Sequence, residues 1–161
     1  MDIDDFQKQQ YIVGMRPVFD RKALYSDMTE DYVCPPEPSA YGEVVIHFRS
    51  KKNNIDRVFL VHGNEKHLML KTDSDEEFDY YSHTVQLENE KYVYYFVAEV
   101  GKLSCFYDTR GVCKDINEYY HFQLIPGFKT PDWAKGAVMY QIFVDRFYNG
   151  DPSNDVLTGE Y

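Results

Sequence analysis

Apolar and polar residues alternate along several short segments of the chain. The clearest case is 43–49, where Val44, Ile46 and Phe48 share one side of an extended backbone and Arg49 lies on the other. A period of two is typical of a strand that is buried on one face. The same reasoning predicts one short strand between 21 and 41 and further strands at 57–62, 78–87, 92–100, 103–107 and 119–124.

Turn-forming residues separate these segments at spacings of about ten residues. Gly101 with Lys102 is a tight hairpin signal, and 108–111 forms another turn. The acidic run 73–77 is interpreted as a solvated loop, and the first two long strands form either a hairpin or a crossing between sheets. The pattern predicts an all-β fold, an immunoglobulin-like antiparallel β-sandwich whose core comes from one face of each strand.

The pattern changes near residue 130. Thr130 followed by Pro131 is a helix-start signal with the threonine as N-cap, and Gly136 ends the helix after about one turn. Residues 138–144 are apolar on both faces, as in a parallel strand that is buried on both sides. We predict an N-terminal extension at 1–20 and a sandwich at 21–126. A linker with a short helix follows at 127–136, and another domain starts at 137–161.

Composition narrows the class of ligand. Aromatic residues make up 17% of the chain, and the 27 acidic against 17 basic residues give a formal charge of −10. This charge disfavours nucleic acid as a partner. Exposed phenol rings suit sugars, because a ring stacks on C–H groups while a hydroxyl forms a hydrogen bond nearby. The alternative is that the tyrosines serve only as sheet formers.

The cysteines and the N-terminal residues indicate the cellular compartment. The three cysteines form no C-x-x-C pair and leave one thiol over in any disulfide scheme, which favours a reducing compartment. The acidic start of the chain is not followed by the apolar segment of a secretory signal. No apolar run approaches the roughly 20 residues that span a bilayer. We therefore predict a cytoplasmic protein without a membrane partner.

A loop rich in side-chain oxygens follows the apolar segment near the end of the chain. Two Asn and two Asp lie within seven residues, held by a Gly and a Pro, at Asn149, Asp151, Asn154 and Asp155. Hard oxygens of this kind are what calcium binds. The register of the EF-hand loop is absent, and an ordinary turn would use the same residue types. Both interpretations stay open on composition.

The sixteen residues 140–155, YQIFVDRFYNGDPSND, strongly resemble glycoside hydrolase family thirteen, the α-amylase family. The resemblance is to the neopullulanase, cyclomaltodextrinase and maltogenic amylase group, in which this segment is the first strand of a catalytic (β/α)8 barrel followed by a calcium loop. Earlier segments resemble the N-terminal β-sandwich of these enzymes, classed as a starch-binding module of family thirty-four: 49–58, 62–64, 71–80, 94–96 and 131–133. One departure is Val144, where the family commonly has proline.

The resemblance implies a non-catalytic N-terminal region of an enzyme that hydrolyses α-glucosidic bonds in starch, maltodextrins, cyclodextrins or pullulan. The nucleophile, the acid/base and the transition-state carboxylate of the family come from later barrel strands, so no catalytic residue is assigned here. It also implies calcium at Asn149, Asp151, Asn154 and Asp155 in the full-length enzyme. The barrel is expected to continue past Tyr161.

The resemblance leaves two roles for the sandwich. One is binding of an α-glucan or maltooligosaccharide, for which the candidate contact residues are the aromatics near the proline segment, Tyr25, Tyr32 and Tyr41. For these three, packing against the sandwich is the alternative. The other role is an interaction module that serves homodimerisation and shapes the active site without sugar affinity of its own.

Overall fold

Two antiparallel β-sheets pack face to face in the computed structural model, which describes residues 20–143, 148–156 and 159. The strands are β1 Val33–Cys34, β2 Glu43–Lys51, β3 Arg57–His62, β4 Glu65–Leu68, β5 Leu70–Ser74, β6 Phe78–Gln86, β7 Tyr92–Val100, β8 Leu103–Asp108, β9 Gly111–Cys113 and β10 Phe122–Leu124. Short 3-10 helices lie at Arg21–Ala23, Glu118–Tyr120, Asp132–Ala134 and Pro152–Asn154. The predicted all-β antiparallel sandwich is confirmed.

The chain changes sheets repeatedly. The four-stranded sheet has the order β1-β2-β6-β5, and the six-stranded sheet has the order β4-β3-β7-β8-β9 with β10 also paired to β7. Because β2 and β3 belong to different sheets, the segment between them is a crossing and not a hairpin. The second crossing runs from β4 to β5 and consists of a single residue, Met69. Met69 is buried and donates its N–H to the Val58 carbonyl.

The alternating pattern of the sequence places the core. Val44, Ile46 and Phe48 of β2 are fully buried and face Tyr94 and Phe96 of β7 across the sandwich. The rings of Phe48 and Phe96 lie 4.9 Å apart, so aromatic side chains join the two sheets directly. Each large apolar side chain buried in this way contributes about 1.5–3 kcal/mol.

Two predicted local structures are wrong in part. Asp73 and Ser74 belong to β5, whose five residues are all exposed, so only the rest of the acidic run turns. The predicted strand 119–124 is shorter, because the Asn117 side chain accepts the Tyr119 N–H and starts a 3-10 helix. Strand β10 therefore begins only at Phe122.

The chain divides into two compact units between Lys129 and Thr130. In the second unit Pro131, not Thr130, occupies the N-cap position of the 3-10 helix, and it offers no side-chain bond. Residues 138–143 form no strand, and their apolar side chains are exposed. No described segment pairs with them, and a strand needs such a partner for its backbone groups. The predicted barrel strand is therefore not observed, and its end at 144–147 lies outside the described residues, as does nearly all of the predicted extension 1–20.

Among the described residues, no helix has the length and hydropathy required to cross a bilayer.

Candidate functional site

The outer surface of the four-stranded sheet carries a group of rings around an arginine. We call it the aromatic face and define it by Tyr25, Tyr32, Arg49, Phe78 and Tyr80. Alternation puts these side chains there, because their chain neighbours Leu24, Val33, Ser50, Asp79 and Tyr81 are buried on the inner side. The sheet brings the rings together from three separate parts of the sequence.

Backbone pairing fixes the centre of the aromatic face. Arg49 on β2 lies opposite Tyr80 on β6. On its other side Arg49 forms a two-bond bridge with Tyr25, in which each N–H donates to the other carbonyl at 2.8 Å. The rings of Tyr25 and Tyr32 meet edge to face at 5.1 Å. Arg49 therefore has aromatic residues on both sides.

The Arg49 guanidinium is positioned by these rings. Its central carbon lies 5.3 Å from the Tyr25 ring centroid and 4.3 Å from the Phe78 ring centroid. Both distances fall within the range of a cation–π interaction. The Nε atom is buried and has no hydrogen-bond partner.

Two carboxylates border the aromatic face and bind its phenols. The Tyr25 hydroxyl donates to Asp27 at 2.9 Å, and the Tyr80 hydroxyl donates to Asp75 at 2.8 Å. The hydrogen bond and the negative charge of each partner raise the pKa of both tyrosines. Backbone N–H groups of Phe78 and Glu77 and the Tyr80 hydroxyl lower the pKa of Asp75. The phenols are therefore held neutral, with their oxygens still able to accept.

The three predicted sugar-contacting tyrosines do not form one site. Tyr25 is 40% exposed and Tyr32 is half-buried, and their rings touch. Tyr41 lies beyond the opposite end of β2. Because a strand rises about 3.3 Å per residue, Tyr41 is about 20 Å or more from Arg49. It has a positive φ of 58° and accepts at its carbonyl from the Gln86 amide at 2.8 Å. Tyr41 is 70% exposed and separate from the aromatic face.

Three members of the aromatic face were not predicted as site residues: Arg49, Phe78 and Tyr80. The alternation of β2 already placed Arg49 on the outer side, so that signal was present in the sequence. The pairing of β2 with β6 brings Phe78 and Tyr80 beside it, and long-range pairing has no local signature.

The oxygen-rich loop closes on itself. The Asn149 side-chain amide donates to both carboxylate oxygens of Asp155, at 2.8 and 2.9 Å. Asp151 accepts from the Ser153 N–H at 3.0 Å and the Ser153 hydroxyl at 2.6 Å. Asn154 lies in the 3-10 helix Pro152–Asn154, and its side chain is not among those described. The oxygens are of the kind calcium prefers, but those of Asp151 and Asp155 are engaged within the loop.

No cluster of three or more His, Cys, Asp or Glu that could hold a metal ion occurs in the described part of the chain.

A cleft of about 470 Å³ lies where the two sheets separate. His67 of β4 and His83 of β6 stack across it with ring centroids 5.0 Å apart. His62 stacks on Tyr92 at 4.1 Å and bonds through Nδ1 to the Val93 carbonyl at 2.8 Å. The lining also includes three carboxylates and one lysine, Glu65, Glu88, Glu90 and Lys91.

The histidine pair predicts acid sensitivity. Burial, followed by the neighbouring His67, lowers the pKa of His83 below its usual value of 6.5. The unfolded chain therefore binds more protons than the folded chain as the pH falls below about 6.5. We expect the free energy of unfolding to drop as the pH falls from about 7.5 through about 6.5, measured by urea denaturation. His83→Gln should reduce this drop, and an equal drop in the variant would contradict the role of His83.

The sequence profile described as "Alpha amylase, N-terminal ig-like domain" matches residues 20–126. The chain belongs to this family. Its N-terminal Ig-like domain thus contains the whole sandwich and the aromatic face, whereas the oxygen-rich loop lies beyond the matched residues.

Relatives of the domain are longer enzymes. Over 154 residues the chain is 31% identical to the maltogenic α-amylase of Bacillus acidopullulyticus, covering 84% of this chain and 26% of that protein. Over 149 residues it is 29% identical to neopullulanase 2 of Thermoactinomyces vulgaris, and the match covers 83% of this chain and 25% of that protein. A solved cyclomaltodextrinase structure superposes with a TM-score of 0.57 at 26% identity, and the match covers 84% of this chain and 25% of that chain. The chain spans about a quarter of the length of each of these three proteins.

Proposed function

We propose that the chain is the non-catalytic N-terminal module of an α-amylase-family enzyme and that its aromatic face binds an α-glucan or maltooligosaccharide. In the whole protein, a following (β/α)8 barrel would hydrolyse α-glucosidic bonds with retention. The observation that carries the binding role is the group of rings around Arg49 on the outside of the family domain. The names of the relatives support the substrate class.

The aromatic face has both kinds of contact that a sugar needs. The exposed ring of Tyr25 offers an apolar surface to the C–H groups of a pyranose. Its hydroxyl and that of Tyr80 are fixed by Asp27 and Asp75 and can accept from sugar hydroxyls. Arg49 supplies donors between them. The rings and polar groups are fixed before binding, which lowers the entropic cost of association.

The sugar-binding proposal predicts a ligand-dependent response of the aromatic face. On titration of the 161-residue chain with maltoheptaose, we expect saturable NMR shifts of Tyr25 and Tyr32. Tyr25→Ala should weaken binding by about three- to tenfold, since an aromatic contact contributes about 0.5–1.5 kcal/mol. Tyr41→Ala is the matched control and should leave the affinity unchanged.

A flat titration of the wild-type chain, or equal losses in both variants, would overturn the sugar-binding role.

The second candidate function is homodimerisation, and the outer surface of the six-stranded sheet favours it. This surface carries the half-buried rings of Phe59, Tyr95 and Phe106 around Val61 and Val97, which are buried outside the main core. An apolar group of this kind suits a contact between subunits. Sedimentation velocity over a range of concentrations separates the two candidates: a flat maltoheptaose titration together with concentration-dependent dimers selects the interaction role.

We also propose that the oxygen-rich loop binds calcium in the full-length enzyme through Asn149, Asp151, Asn154 and Asp155. The hard-oxygen donor set supports this.

For compartment, we propose the cytoplasm, supported by three thiols that form no disulfide, Cys34, Cys105 and Cys113.

A further inference from the structure

We propose that Arg49 is the specificity-determining residue of the aromatic face and donates hydrogen bonds to a pair of neighbouring hydroxyls on one glucose unit. The inference rests on the proposed sugar-binding function and adds to it the group on the ligand that is recognised. For an α-1,4-linked glucan this pair is the 2- and 3-hydroxyl, which remain free in every unit and match the forked donors of a guanidinium.

The Arg49 guanidinium has hydrogen-bond donors without a partner in the described part of the chain. Arginine carries five N–H donors and no acceptor. In the described part of the chain, the Arg49 side chain has ring contacts with Tyr25 and Phe78 but no hydrogen bond or ion pair, and its Nε is buried without a partner. An unsatisfied buried donor of this kind destabilises the unliganded protein. The buried Nε is closed to a ligand, so a ligand acceptor would bind the terminal Nη donors, which form no hydrogen bond in the described part of the chain.

The two carboxylates that border the aromatic face already accept hydrogen bonds from other groups. Asp27 accepts from the Tyr25 hydroxyl and from the backbone N–H and hydroxyl of Thr29. Asp75 accepts from the Tyr80 hydroxyl and from two backbone N–H groups. Neither forms an ion pair with Arg49, although each could offer the acceptor that an arginine usually finds.

Arg49 is held in place by its neighbours on both sides. Its backbone is bonded to Tyr25 on one side and paired with Tyr80 on the other. Its guanidinium lies 4.3 Å from the Phe78 ring centroid. Little side-chain freedom is left to lose on binding, so its donors have a defined direction beside the exposed Tyr25 ring.

The charges around Arg49 identify a neutral ligand. Asp27 and Asp75 border the aromatic face through the Tyr25 and Tyr80 hydroxyls and bring two negative charges to it. These charges stand against the positive charges of Arg49 and of Lys52, which donates to the Asp75 carbonyl at 2.6 Å, so the aromatic face has no excess of positive charge. An anion such as a phosphate or carboxylate would meet this negative charge, whereas a neutral hydroxyl pair accepts from the arginine without repulsion. A polyhydroxylated sugar fits both the donors and the rings.

The test compares ligands and variants by isothermal titration calorimetry. We expect the wild-type chain to bind β-cyclodextrin and its 6-O-methyl derivative equally. It should bind the 2,3-di-O-methyl derivative about ten- to hundredfold more weakly, because the added methyl groups block the approach of the guanidinium to the two oxygens. Arg49→Met should lose affinity for β-cyclodextrin to the same extent and should no longer distinguish the three ligands. Arg49→Lys keeps the charge without the fork and should recover only part of the affinity.

The matched control is Arg57→Met. Arg57 lies on the six-stranded sheet over the Phe59 ring and is paired with Glu99 at 2.9 Å, so it has the same residue type and a similar ring contact but a protein partner. This variant should bind β-cyclodextrin like the wild type.

The outcomes separate the inference from the function on which it rests. No binding of β-cyclodextrin or maltoheptaose by the wild type would overturn the sugar-binding function itself. Wild-type binding that is unchanged in Arg49→Met would overturn only the role of Arg49. If Arg49→Met does not fold, the wild-type comparison of the methylated ligands decides, because equal affinity for all of them would also overturn the role.

Discussion

Replacement of Asp79 by alanine is expected to lower the free energy of unfolding by about 2–4 kcal/mol, because it removes a buried carboxylate that accepts from three donors. The carboxylate is only 1% exposed and is paired with the Lys71 ammonium. It also accepts from the Ser74 hydroxyl at 2.8 Å and from the Asn53 N–H at 2.9 Å. Removal of Asp79 leaves all these donors without their acceptor.

The pKa of Asp79 is consistent with this role. Burial raises the pKa, but the hydrogen bonds from Lys71, Asn53 and Ser74 outweigh burial and hold it below its usual value. The folded state therefore favours the ionised carboxylate, and the stabilisation is present above the unfolded pKa and is lost as the pH falls through the folded one. At neutral pH, Asp79→Asn should lose most of the stabilisation that the ionised carboxylate provides.

Urea denaturation followed by circular dichroism measures the effect of Asp79→Ala. The control is Glu76→Ala in the exposed turn before β6, which we expect to change the free energy of unfolding by less than about 0.5 kcal/mol. Equal stability of the two variants would show that the Asp79 network contributes nothing net.

Phe96→Ala is expected to destabilise the sandwich by about 3–5 kcal/mol, since it deletes a fully buried ring and leaves a cavity. Phe96 lies at the point where the sheets meet. Its ring centroid is 4.9 Å from that of Phe48 in the opposite sheet, 5.6 Å from Tyr94 and 5.7 Å from Phe122. A cavity here removes contacts from both sheets at once.

The same denaturation experiment tests Phe96→Ala, with Phe128→Ala as the control because that ring is 59% exposed. The control should lie within about 0.5 kcal/mol of the wild type. A loss below about 1 kcal/mol in Phe96→Ala would mean that the core closes around the missing ring.

The strands that the sequence predicts well are those with strong alternation. The segments 43–49, 57–62, 78–87, 92–100 and 103–107 correspond to β2, β3, β6, β7 and β8. Strand β5 was missed because all of its residues are exposed, so no apolar side marks it. The start of β10 was predicted too early because one polar side chain, Asn117, favours a local turn over the ladder.

The candidate site was predicted less completely than the fold, for a physical reason. The nearness of Tyr25 to Tyr32 follows from short-range chain geometry, and both were candidates. Their neighbour Phe78 joins them through the pairing of β2 with β6, which depends on contacts far apart in sequence. Tyr41 was grouped with Tyr25 and Tyr32 because all three are near the proline segment in sequence. In the structure, most of the length of β2 separates Tyr41 from Arg49, so Tyr41 lies far from the aromatic face.

The exposed strand β5 has a consequence for how copies of this molecule can meet. It is the outer edge of the four-stranded sheet, its register shifts between Lys71 and Asp73, and both of these residues are charged. A bulged and charged edge is poorly suited to accept another strand, so sheets from two molecules do not extend into one another here. The open backbone hydrogen-bonding groups along this edge are instead left to water.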